Sequence, residues 1–153
     1  MRGFLAFLAA LLCSSAILGQ GGSTTARYGV PLDRKTYPQS SPKEALRSVL
    51  GAIDAGRFDY LLAHLSDPTF VDDRVKRLYG GKFEEQVKDT RNRLDPFLIK
   101  QLRKFLDKGE WHISKEEATV VVEDLPDRRV YLIKMDDQWY LLHRFTPPRK
   151  GAP

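Results

Sequence analysis

Beyond Gly109 the apolar residues stop recurring at helical intervals and begin to alternate, and this change of period limits what the chain can become. Trp111 and Ile113 flank His112, and Ala118, Val120 and Val122 alternate with Thr119, Val121 and Glu123. Earlier in the chain the apolar spacing is that of amphipathic helices. A chain that keeps its helices first and its strands last is expected to be α+β, with N-terminal helices packed on a C-terminal antiparallel β-meander in a cone-like arrangement.

The meander sets its own register. Leu125-Pro126-Asp127-Arg128 leads into Val130 to Met135, and Asp136-Asp137 suits a two-residue hairpin turn, although the usual glycine at its second position is missing. That turn puts Lys134 opposite Trp139, Leu132 opposite Leu141, Val130 opposite His143, Ile133 opposite Tyr140 and Tyr131 opposite Leu142. One sheet face then carries Val120, Val122, Val130, Leu132, Trp139 and Leu141, the expected core. The reverse face carries Val121, Tyr131, Ile133, Tyr140 and Leu142, which form a candidate interface, because a water-facing sheet surface should be polar. Three covers are open: the N-terminal segment, a second copy of the chain, or another protein. Pro147-Pro148 ends the last strand, and residues 147–153 are expected to be a disordered tail.

The helices are punctuated by a repeated device. Ser41-Pro42 offers a capping hydroxyl followed by a proline at the first helical position, with Glu44 placed to bond back to the cap. Ala45, Leu46, Val49, Leu50 and Ile53 follow at helical spacing, and Gly56 suits a left-handed stop. A short helix is expected over Asp59 to Leu65, closed by Ser66-Asp67-Pro68. Val71, Val75, Leu78 and Tyr79 share one register and Phe83, Val87 and Leu94 another, so Gly80-Gly81 should divide two helical pieces. Asp95-Pro96 opens a last helix with Leu98, Leu102, Phe105 and Leu106 inward, ending at Gly109. Lys100, Arg103 and Lys104 fall on its far side and suit a solvated surface.

The N-terminus suggests export. Arg2 is followed by an unbroken apolar run from Phe4 to Leu12 and by the small residues Ser14, Ser15, Ala16 and Gly19, so residues 1–19 resemble a signal peptide. The run is too short to cross a bilayer as a helix. The expected location is periplasmic or extracellular. Membrane attachment would require retention of the leader or lipidation of Cys13, where Leu12 occupies a position that usually holds a small residue. Cys13 is the only cysteine, so cleavage beyond it removes thiol chemistry. Residues 20–40 are rich in Gly, Ser, Thr and Pro and are expected to be a flexible linker, with Tyr28, Val30, Leu32 and Tyr37 as points where it could touch the domain of residues 41–146. The formal net charge is +5, or +4 once Arg2 leaves with the leader. That excess is interspersed with acids, which concerns solubility and carries no nucleic-acid signature.

Chemical motifs are sparse. His64, His112 and His143 lack the short spacing of a paired metal site, and no cofactor motif is present. Tyr60 and His64 lie four apart and share a helix face, so with Trp111, Trp139 and His143 they are candidates to line a pocket; ordinary core packing is the favoured reading, because large aromatics usually bury themselves for their area. His143 would need a carboxylate, such as Asp72 or Asp73, within hydrogen-bond reach to act as a base. No residue is assigned a catalytic role.

The order of these parts carries a resemblance. Ser-Pro-Lys-Glu-Ala-Leu from Ser41, Asp-Ala-Gly-Arg-Phe-Asp-Tyr-Leu-Leu-Ala-His-Leu-Ser from Asp54, Glu-Ala-Thr-Val-Val-Val from Glu117 and Lys-Met-Asp-Asp-Gln-Trp-Tyr-Leu from Lys134 together resemble small secreted members of the NTF2-like superfamily, of the lumazine-binding and DUF4878 type. The similarity spans about Ser41 to Phe145. The resemblance implies a cone-shaped α+β fold. The superfamily holds isomerase-like and dehydratase-like enzymes as well as non-catalytic binding and dimerising domains. No catalytic set of those enzymes is matched residue by residue. The expected function is therefore a secreted or envelope-associated non-catalytic binding or assembly domain, possible partners being a second copy or an envelope protein; the alternative is a small-molecule binder or enzyme using polar groups in the cone.

Overall fold

The computed structural model describes residues 26–144; the leader, Cys13 and the expected tail lie outside the described residues. Five α-helices precede a four-stranded antiparallel sheet of strand order β1-β2-β3-β4, an α+β fold.

Each long helix begins where a cap and a proline coincide, except α4. Helix α1 (Pro42–Asp54) is capped by Ser41, whose hydroxyl accepts from the Glu44 amide. The Glu44 carboxylate accepts from the Ser40 hydroxyl. Gly56, at φ 67°, closes the helix in a left-handed turn in which the Arg57 amide reaches back to the Ala52 carbonyl at 2.8 Å. Helix α3 (Pro68–Leu78) is capped by Asp67 and α5 (Pro96–Lys108) by Asp95. Between them, Gly80 and Gly81 at positive φ separate α3 from α4 (Phe83–Arg93). Gly109 ends α5 for a different reason: at φ −70° its backbone suits any residue, but a Cβ there would collide with Val120 and the Phe105 carbonyl.

The expected helix over Asp59 to Leu65 takes another form. Helix α2 (Phe58–Tyr60) is a single turn and continues as a π-helical turn, Leu61–Leu65, whose wider winding is closed by the Ser66 amide on the Leu61 carbonyl at 2.9 Å.

In the sheet, β1 (Glu110–Ile113), β2 (Glu117–Val121), β3 (Arg129–Met135) and β4 (Gln138–Leu142) run as a plain meander. The Asp136-Asp137 turn holds both residues at positive φ, 48° and 60°, the backbone of a tight primed hairpin, and Lys134 pairs with Asp137 at 2.9 Å. It pairs Lys134 with Trp139, Leu132 with Leu141, Ile133 with Tyr140 and Tyr131 with Leu142. The expected Val130 to His143 pair does not form, because β4 ends at Leu142.

Alternation then sorts the side chains. Val120, Val122, Val130, Leu132 and Trp139 are buried against Ala45, Leu46 and Phe105 of α1 and α5. Val121, Tyr131, Ile133, Tyr140 and Leu142 are half-buried on the reverse face. Edge strand β1 gains least cover, and Ile113 is 59% exposed.

The segment expected to be a flexible linker is, from Ala26 onward, a strap packed on the domain. Val30 and Tyr37 are buried with Tyr60, and Arg27 donates to the carbonyls of Ala63 and Pro68, each at 2.9 Å. Gln39 lies along the open edge of β4, and Ser66-Asp67 covers the next stretch, where the Asp67 amide donates to the Leu141 carbonyl at 2.9 Å. A few anchored apolar residues and edge hydrogen bonds thus outweigh a composition that, averaged over the segment, suggests disorder.

Candidate functional site

The helices and the sheet do not close completely. A chamber of about 380 Å³ remains between α1, the π turn, α3, α4 and α5, with Leu141 of β4 as its floor. Its size is that of a small-ligand pocket, and its walls are mainly apolar, among them Ile53, Leu62, Phe70 and Leu102.

Among the polar residues of this lining, two are fully buried. Ser66 and Gln86 are each 1% exposed, both line the chamber, and neither Ser66 Oγ nor Gln86 Oε1 has a hydrogen-bond partner among the described residues. The wide π turn delivers Ser66 to this position, where extended backbone (φ −95°, ψ 153°) lets it pair alongside Leu141. Gln86 comes from the inner side of α4, a helix otherwise so polar that Phe83 is its only other buried residue. A buried polar group without a partner costs roughly 1–3 kcal/mol, so each of these two atoms has hydrogen-bonding capacity left unused within the protein.

At the rim, Arg74 donates to the Tyr79 hydroxyl at 3.2 Å, Tyr79 donates to Asp89, and Arg93 pairs with Asp89 at 2.7 Å. The hydrogen bonds from Tyr79 and Arg93 hold the Asp89 carboxyl below its ordinary pKa, and the chain of contacts ties α3 to α4. Phe70 stacks on His143 with ring centroids 4.2 Å and planes 4° apart, while the Arg74 guanidinium lies 5.4 Å from the Phe70 ring. Loss of water around the His143 ring lowers its pKa from 6.5 to about 4; Asp67 opposes this and Arg74 adds to it.

Of the residues expected to form a pocket, only His143 reaches the chamber. Tyr60 and His64 do share a face, with ring centroids 4.9 Å apart, but they lie beneath the strap and are occupied there. The Tyr60 hydroxyl accepts from the Asp33 amide at 3.0 Å, and His64 Nε2 donates to the Val30 carbonyl at 2.7 Å. Burial, aided by Arg27 and Arg34, lowers the His64 pKa against the pull of that carbonyl. Trp111 packs, partly buried, against the core cluster of Ala45 and Phe105, with its indole nitrogen unpartnered among the described residues. Asp72 is taken by Arg27 and Tyr28, and Asp73 by Arg77, so neither serves His143.

Ser66, Phe70 and Gln86 escaped the sequence reading. A signal existed for Gln86, which sits beside Val87 in the register that Phe83 and Leu94 mark as inward. Ser66 has none beyond its place before Asp67-Pro68.

Among the described residues, no group of three or more His, Cys, Asp or Glu could hold a metal ion, and no helix is long and apolar enough to cross a membrane. No family model, curated protein or solved structure matches the chain.

Proposed function

We propose that this chain is an exported, non-catalytic binding domain that holds a small, mainly apolar molecule carrying a hydrogen-bonding group. One observation carries the reading: Ser66 and Gln86, whose Oγ and Oε1 are buried and unpartnered among the described residues, line a mainly apolar chamber of about 380 Å³. Among the chamber's own residues, no carboxylate is hydrogen-bonded to His143. The leader-like residues 1–19 support export, and helices laid over a terminal meander fit the cone that the NTF2-like resemblance implies.

The test is a titration with 1-decanol, followed through the methyl resonances of Leu62, Leu102 and Leu141. Saturable shifts at these methyls are expected, and Thr90→Trp, which places an indole in the chamber, should abolish them in a protein that remains folded. The absence of saturation, or equal binding in the Thr90→Trp protein, would sink the proposal.

A second reading concerns assembly. The half-buried row Val121, Tyr131, Ile133 and Leu142 lies opposite the core face, and the strap reaches only its Tyr140 end, where Arg27, Leu32 and Arg34 enclose a small cavity with that ring. This row fits self-association, sheet face to sheet face.

A further inference from the structure

A second cavity, of about 410 Å³, abuts the chamber and shares with it Leu98, Leu102, Leu141 and His143. The two differ in charge. The second lies between α5 and the open end of the sheet, where β3 begins and β4 ends, and its walls carry Arg128, Arg129 and Arg144 against a single acid, Asp127.

The three cations are not equally committed. Arg144 pairs with Glu117 and lies over the Tyr131 ring. Arg128 donates to Oε1 of Gln101, a neutral and buried amide that orients the guanidinium without cancelling its charge. Arg129 forms no ion pair among the described residues, but it stands opposite Val121 in the ladder, so its side chain leaves from the reverse face, where it borders a hollow with Glu110 and Glu123. The vestibule is thus a cationic mouth on an apolar chamber, with His143 at the boundary. A guanidinium offers a planar fork of donors that matches a carboxylate, and one already held by a neutral partner loses little freedom on binding.

We infer that chamber and vestibule form one bipartite site for a single-chain amphiphilic anion, its apolar chain lying in the chamber and its carboxylate at Arg128. This inference rests on the ligand-binding reading above and adds the charge and direction of the ligand. It also accounts for the imbalance of the mouth, since a neutral ligand would need no excess of cations there.

The experiment compares decanoate, 1-decanol and decyltrimethylammonium, three probes with the same chain and different heads, on the full chain and on Arg128→Gln, by calorimetry at low and moderate salt. Decanoate should bind about tenfold tighter than decanol, and decyltrimethylammonium more weakly than either. In the variant the preference for decanoate should vanish while decanol affinity is kept, and salt should weaken decanoate alone. Equal affinity for decanoate and decanol, or a decanoate preference that survives the variant, would overturn the inference while leaving the chamber as a binding site. Failure of all three probes would overturn both.

Discussion

Gln39 and Trp139, one hundred residues apart, are joined by two hydrogen bonds: the Trp139 amide donates to the Gln39 carbonyl at 3.0 Å, and the Gln39 side chain donates to the Trp139 carbonyl at 2.8 Å. The same side-chain nitrogen also donates to the His64 carbonyl at 3.0 Å. One buried amide therefore joins the strap, the π turn and the free edge of β4.

Removing that amide should be costly. Gln39→Ala leaves the carbonyls of Trp139 and His64 without a donor in a buried setting, and a loss of roughly 1–3 kcal/mol is expected. Urea unfolding measures it through the midpoint, and a change below about 0.5 kcal/mol would show that the edge does not depend on this contact.

The two orphan groups of the chamber should behave in the opposite way. In ligand-free protein, Gln86→Leu and Ser66→Ala each remove a polar atom that has no partner, so stability is expected to stay level or rise by up to about 1 kcal/mol. Decanol affinity should fall in both. A marked drop in urea midpoint would instead mean that ordered water already satisfies these atoms.

Acid should weaken the fold before its carboxylates titrate. His64 and His143 both have folded pKa values lowered from 6.5, chiefly by loss of water, so the unfolded chain takes up protons first. Their stabilising contribution is complete above about pH 6.5 and is lost as the pH falls through the folded values, toward about 4 for His143. The urea midpoint should therefore decline between pH 7 and pH 5, while imidazole proton shifts of both rings titrate late. A midpoint flat across that interval would refute this account.

For assembly through the reverse sheet face, Tyr131 is the informative position, since Tyr140 is partly sheltered by the strap. Sedimentation of residues 20–153 is expected to give a dimer and Tyr131→Lys a monomer of similar stability. A monomer in both would remove that reading.

Much of this architecture can be seen in the residues. The alternation after Gly109 and the Asp136-Asp137 turn set the β3 to β4 register, and the pairs Ser41-Pro42, Asp67-Pro68 and Asp95-Pro96 mark three helix starts. The strap was hidden because its hold comes from single contacts, those of Val30, Tyr37 and Gln39, which averaged composition cannot register. The site was hidden for a related reason. Helical spacing shows that Tyr60 and His64 share a face, but it does not tell whether that face meets the chamber or the strap.

The π turn has a consequence of its own. It holds about one residue more per winding than a regular helix, so Leu61 and Ser66, five positions apart, close a turn that four positions would close elsewhere. Ser66 therefore stands at the border of the hollow just where the wider coil ends and the Asp67 cap of the next helix begins.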